Sequence, residues 1–125
     1  MRGDLSGIDG WTRKMTSLKD AGKPADETAE IMLEMLLKDL QVKQGEELLV
    51  ILNGAGATTL MELFIVFRRV DQILKAKRIK LARAKVGEFI TTQEQAGFQL
   101  MIARLDADLI RLWDAPSNAP YFVAR

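Results

Sequence analysis

An α/β layered domain, with a small, at least three-stranded and partly parallel sheet flanked by helices, is the fold this sequence predicts. Three observations predict it. A continuous apolar run at residues 48–52 has the length and β-branched content of a strand buried on both faces. Gly54 and Gly56 follow it, and Thr59 with Glu62 at the third position beyond is a capping-box pattern that opens a helix. Past that helix, residues 79–86 and 98–105 alternate in side-chain character as strands do.

Each element has its own local signature. Residues 1–23 carry glycines, scattered charges and no sustained period, so they read as an irregular N-terminal segment with Trp11 as its large anchor. Pro24 suits a first helical turn, Asp26 and Glu27 complement the positive end of the helix dipole, and Ile31, Met32, Leu33, Met35, Leu36, Leu37 and Leu40 give a broad apolar face. The methionines read as core filler. Gly45 closes the connection into the first strand, and Asn53 ends that strand. The second helix runs from Thr59 to about Ala76, and its first half is apolar almost all round, through Leu60, Met61, Leu63, Phe64, Ile65, Val66 and Phe67. Burial on more than one side follows, beneath a larger body or in a subunit interface.

A right-handed crossover through that helix places the 48–52 strand beside the 79–86 strand. One short helical turn is expected over residues 91–96 before Gly97, then a strand with Phe98, Leu100 and Ile102 on one face. Asp106 caps a last short helix through Leu112, and the segment holding Pro116 and Pro120 reads as an extended tail.

Composition excludes several chemistries. The chain of 125 residues carries no Cys and no His. Disulfide frameworks, thiolate metal sites, thiol nucleophiles and every His-dependent triad are therefore absent. Any catalysis would rest on carboxylates, Lys, Tyr121 or a bound group. No apolar run is long enough to cross a bilayer, and residues 1–10 lack the apolar core of a signal peptide. A cytoplasmic protein with no membrane partner and no metal is the expectation.

Asn53, Gly54, Gly56 and Thr58 form the loop expected to face a ligand or partner, because a strand–loop–helix unit aims free backbone N–H groups at the strand end. GAGATT is no nucleotide fingerprint, since it lacks the third glycine of G-x-G-x-x-G and no P-loop lysine follows. Thr59 and Glu62 read as a helix cap rather than as a catalyst, and no residue carries a catalytic assignment. Net charge is +1, yet Arg68, Arg69, Lys75, Lys77, Arg78, Lys80, Arg83 and Lys85 are interrupted only by Asp71. Within it Arg68, Arg69, Arg83 and Lys85 are candidates for an acidic partner, against the alternative of a solvated face. Nucleic acid is disfavoured because no aromatic residues interleave with the charges.

Three segments in order carry a resemblance to one family. Asn53-Gly54-Ala55-Gly56-Ala57-Thr58-Thr59-Leu60-Met61-Glu62-Leu63 is similar to N-x-x-G-A-T-P-x-x-E-L. Val86-Gly87-Glu88-Phe89-Ile90-Thr91-Thr92, continuing to Ala96-Gly97-Phe98, is similar to V-G-x-x-M-T-S followed by M-A-G-F-S. Leu105-Asp106-Ala107-Asp108-Leu109, then Asp114-Ala115-Pro116 and Pro120, make the third. Together they resemble the C-terminal part of the substrate-binding subunit of the dihydroxyacetone kinases. Thr59 stands in place of the family's Pro, and Gln93, Gln95 and Gln99 stand where Leu, Met and Ser are usual. Unpaired buried amides would be costly, so these side chains are expected to face solvent unless the sequence has drifted.

The resemblance implies phosphoryl transfer to dihydroxyacetone, with ATP or ADP and magnesium on a partner subunit or domain and no cofactor in this chain. It implies a ketone held as a hemiaminal on the His of a G-I-H-G-E-P-G motif. Here Gly7 and Ile8 are that motif's remnant, and the His is missing. Residues 1–23 are then the remnant of an interlobe connection and residues 24–125 the C-terminal lobe. Its partners would be an upstream substrate-binding lobe, a nucleotide-binding kinase subunit and, through the second helix, a second copy in a homodimer. The isolated chain is expected to be inactive and to serve as scaffold and contact. The alternative is a non-enzymatic, coactivator-like interaction module that kept the fold and lost the substrate site.

Overall fold

The computed structural model describes residues 24–120 and 122–124. The expectations for Trp11 and for Gly7 and Ile8 lie outside these residues. Helix α1 (Ala25–Asp39) leads to strand β1 (Glu47–Gly54), helix α2 (Leu60–Ala76) and strand β2 (Lys80–Gly87). Strand β3 (Phe98–Leu105), helix α3 (Ala107–Asp114) and the short strands β4 (Ser117–Ala119) and β5 (Phe122–Ala124) follow. The main sheet has the order β2-β1-β3, with β1 parallel to β2 and antiparallel to β3. This is the partly parallel α/β layered fold that the sequence predicts.

The helices form where their apolar residues recur at helical spacing. Ala29, Met32, Leu33 and Leu37 of α1 are buried, as are Leu63, Val66, Val70, Ile73 and Leu74 of α2. They meet Leu48, Val50 and Leu52 of β1 and Leu100 of β3 in one core. Each fully buried Leu contributes about 2 kcal/mol. On the other sheet face Leu49 is also buried, so β1 is enclosed on both sides. There α3 lies against β3, and its Asp114 accepts a hydrogen bond from Arg83 Nε of β2 at 2.7 Å.

Both long helices end on a residue in the left-handed region, Gln41 (φ 52°) and Arg78 (φ 56°). After α1, Val42 N–H donates to Leu37 O and Gln41 N–H to Lys38 O; after α2, Ile79 N–H donates to Leu74 O and Arg78 N–H to Lys75 O. These paired bonds satisfy the last carbonyls and turn the chain sharply into the next segment.

Two expectations are corrected. Residues 91–96 hold a bend at 93–94 and a bridge at Gln95 rather than a helical turn, with Thr92 bonded to Ala55 O and Gln95 O to the Ala57 N–H. The C-terminal tail is a β4–β5 hairpin pairing Ser117 with Ala124, and α3 continues to Asp114. In the first half of α2, Leu60, Met61, Phe64 and Ile65 are left exposed by the described residues, so their burial beneath a larger body or in a subunit interface remains an expectation.

Candidate functional site

The register of the sheet assembles the site. Asn53, near the end of β1, lies opposite Gly87 of β2 on one side and Gln99 of β3 on the other. The central strand therefore brings its own loop, residues 54–59, against residues 87–97, which link β2 to β3. An open hollow of 410 Å³ lies at this end, lined by residues 56–60 and by Val86, Gly87 and Glu88. It sits beyond the carboxyl ends of the two parallel strands, the place where open α/β sheets hold ligands.

Asn53 is 1% exposed and all of its amide is used. Its Oδ1 accepts from the backbone N–H of Phe89 at 2.7 Å and of Ile90 at 3.0 Å. Its Nδ2 donates to Ile90 O at 2.7 Å and to Gln99 Oε1 at 3.1 Å. Of the loop residues expected to face a ligand, Asn53 thus points inward and pins the β2–β3 link. No free valence remains for a ligand.

Gly54 sits where a Cβ would come within 3.1 Å of Leu63 Cδ1 and of the Glu88 side chain. Gly56 has φ 112°, and a Cβ there would stand 2.4 Å from Thr92 O. It forms a parallel bridge with Gln95, beside which Ala57 N–H donates to Gln95 O at 3.2 Å and Thr92 Oγ1 donates to Ala55 O at 2.8 Å. Thr58 Oγ1 donates to Gly97 O and accepts from Gly97 N–H. Two of the three resembling segments are therefore one interlocked structure. The third segment lies apart, with Asp106 Oδ1 capping α3 by accepting from Leu109 N–H at 2.8 Å.

At the start of α2 the capping box is complete. Thr59 Oγ1 accepts from Glu62 N–H, and Glu62 Oε2 accepts from Thr59 N–H at 2.8 Å and from Thr59 Oγ1 at 2.7 Å. The Thr59 hydroxyl and then its amide hold the Glu62 carboxyl below its ordinary value. A carboxylate so engaged is a poor proton acceptor near neutral pH.

The glutamines that depart from the family pattern find a place. Gln93 and Gln95 are exposed, and half-buried Gln99 accepts from Asn53. Sequence reasoning missed Gln99 as part of the site, although its position opposite Asn53 follows once the antiparallel register is known.

The basic segment is divided over several surfaces. Arg68 bonds Asp26 at 2.8 Å, Arg69 bonds Glu30 at 3.3 Å and Lys77 meets Glu34 at 2.8 Å, all tying α2 to α1. Lys75 pairs with Asp71, Lys80 with Glu47 and Arg83 with Asp114. Lys85 lies 5.6 Å from the centre of the Phe89 ring, which itself covers Gly87. Arg68, Arg69, Arg83 and Lys85 do not converge on one cationic surface. Among the described residues no cluster of three carboxylates suits a metal ion, and no helix is long and apolar enough to cross a membrane.

A family model described as the Dak1 domain matches residues 14–121. The chain is 35% identical over 109 residues to the dihydroxyacetone-binding subunit of a PTS-dependent dihydroxyacetone kinase of Listeria innocua, covering 87% of this chain and 32% of that subunit. It is 39% identical over 102 residues to an L-erythrulose kinase of Pectobacterium atrosepticum, covering 78% of this chain and 17% of that protein. A solved structure described as "Regulation of the dha operon of Lactococcus lactis" superposes with a TM-score of 0.75 at 23% identity, over 82% of this chain and 33% of that one. The chain thus spans about a third, or less, of the relatives it matches.

Proposed function

We propose a function for this chain from one premise: it belongs to the Dak1 domain family, whose model matches residues 14–121. The chain acts as the C-terminal lobe of a kinase that phosphorylates a short ketose of the dihydroxyacetone class. Its own part is scaffold and contact. An upstream lobe supplies substrate binding, and a separate subunit or domain supplies nucleotide and magnesium, in the cytoplasm.

One observation carries the scaffold role. The polar residues of the two interlocked segments are engaged with each other: Asn53 through its four amide bonds, Thr58 through Gly97, and Glu62 through Thr59. A group whose bonding capacity is filled by the fold holds loops in place. The sequence contains no His for a hemiaminal. Relatives of this chain are named as dihydroxyacetone and erythrulose kinases, and the match covers only 32% and 17% of them, which supports a lobe completed by another.

Phosphorylation of dihydroxyacetone, followed in a coupled assay with a nucleotide-bearing subunit present, tests this reading. Turnover is expected only when an upstream lobe carrying the His is added to this chain. Turnover without that lobe, or none with it while an intact two-lobe control works, overturns the reading.

A further inference from the structure

The path of the chain fixes a side of the sheet. Helices α1 and α2 run side by side in the same direction on one face, as the ion pairs of Asp26 with Arg68, Glu30 with Arg69 and Glu34 with Lys77 record in order. Helix α2 connects β1 to its parallel neighbour β2. Helix α1 instead lies over β3, where Arg104 Nη2 donates to Leu40 O at 2.8 Å and Arg104 Nε meets Glu46 at 3.2 Å.

Crossovers between parallel strands are right-handed in almost all proteins. The β1–α2–β2 unit steps toward the β2 edge. A second right-handed unit on the same face, entering β1 through α1, steps in the same direction and so starts on the opposite side of β1. Strand β3 already occupies the adjacent place. A strand of an upstream lobe that led into α1 by such a crossover would therefore belong on the far side of β3.

The two sheet edges differ as this requires. Strand β2 carries Lys80, Arg83 and Lys85, charges of the kind that discourage another strand from pairing. Strand β3 carries no charge from Phe98 to Ala103, and Met101 is 40% exposed. Among the described residues, no strand but β1 pairs with it.

We propose that the outer edge of β3 is the docking site for an extended strand of the upstream lobe, antiparallel to β3 and parallel to β1. The incoming segment is uncharged along its length. Its alternate apolar side chains continue the core beside Leu100 and Ile102, which lie on the α1 side of the sheet. This rests on the reading of the chain as a lobe completed by another, and it names the surface of that contact.

The test mixes the full chain with the preceding two-thirds of the Listeria innocua relative, made as a separate protein or, where that is insoluble, joined to the N-terminus of this chain. Amide hydrogen exchange and calorimetric titration are the readouts. The outward-facing amides of β3 are expected to slow at least tenfold on mixing, with those of β2 unchanged. Met101→Lys is expected to weaken binding at least tenfold, while Ala84→Lys on β2 changes it less than twofold. Slowing at β2 or at residues 60–65 in place of β3, or an effect of Ala84→Lys in place of Met101→Lys, overturns the docking. Slowing at β3 in the chain alone that grows with protein concentration assigns the edge to a second copy and also overturns it. Ketose turnover with β3 unprotected overturns the docking and leaves the kinase reading standing; a lobe that neither binds nor restores turnover removes both.

Discussion

Thr58 and Gly97 close a reciprocal pair: the Thr58 hydroxyl donates to Gly97 O at 2.8 Å and accepts from Gly97 N–H at 2.9 Å. The β1–α2 loop and the β2–β3 link are joined at this point across 39 residues of sequence. Thr58→Val keeps the shape and removes both bonds. It is expected to lower stability by about 2 kcal/mol, with Thr58→Ser restoring most of it. Urea unfolding of the three proteins checks the order.

Asn53 carries a heavier role, because four hydrogen bonds converge on one buried amide. Asn53→Leu removes the acceptor that the N–H groups of Phe89 and Ile90 share and the donor to Ile90 O. A loss of about 3 kcal/mol is expected. Hydrogen exchange at Phe89 and Ile90 should rise more than at Leu100.

Gly56→Ala meets two obstacles at once, a φ of 112° and a carbonyl oxygen 2.4 Å from the new Cβ. The bridge to Gln95 has to open for the methyl to fit. The expected cost is about 2 kcal/mol or more, read as a lowered thermal midpoint. In the reconstituted kinase assay the same variant should lose turnover in step with its folded fraction.

Stability should fall in acid. Glu62 is held below its ordinary value by Thr59, Glu46 by the Lys43 amide and then Arg104, and Asp114 by Arg83. A depressed carboxylate contributes stability that is full above the unfolded-state value, about pH 4, and is lost as pH falls through the lower folded-state value. Denaturation free energy should be flat from about pH 7 to 5 and drop below about pH 4. Glu62→Gln should make that drop shallower.

Paired cations bind polyanions poorly. Arg68, Arg69, Lys77, Lys80 and Arg83 each face a carboxylate. Titration with duplex DNA at physiological salt is expected to show an affinity no tighter than that of general non-specific binding, about 10⁻⁴ to 10⁻⁶ M. A tight complex that weakens steeply with added salt would contradict this.

Much of the fold was legible because its causes are local. The spacing of Leu63, Val66, Val70 and Ile73 marks the buried face of α2, and Thr59 with Glu62 marks its start within four residues. The continuous apolar run of β1 announced a strand enclosed on both faces, and both Leu48 and Leu49 are buried. The site was less legible. Residues 91–96 looked able to make a helical turn, but Thr92 and Gln95 bond to the opposing loop at Ala55 and Ala57. Local preference lost to partners that are near only in space.

The sequence by itself determined the two long helices, the three strands of the main sheet, the caps at Thr59 and Asp106 and the absence of His and Cys chemistry, because periodicity, capping and composition act over a few residues at a time. Only the tertiary structure decided what the polar residues of the motifs do. Asn53 reads in sequence as a strand-ending residue before a glycine loop, and nothing within a few positions of it shows that its partners lie 36, 37 and 46 residues away. Which polar groups are buried, and which distant groups satisfy them, is set by the register of β1 against β2 and β3. A buried amide takes the partners that the packed sheet places within reach of it.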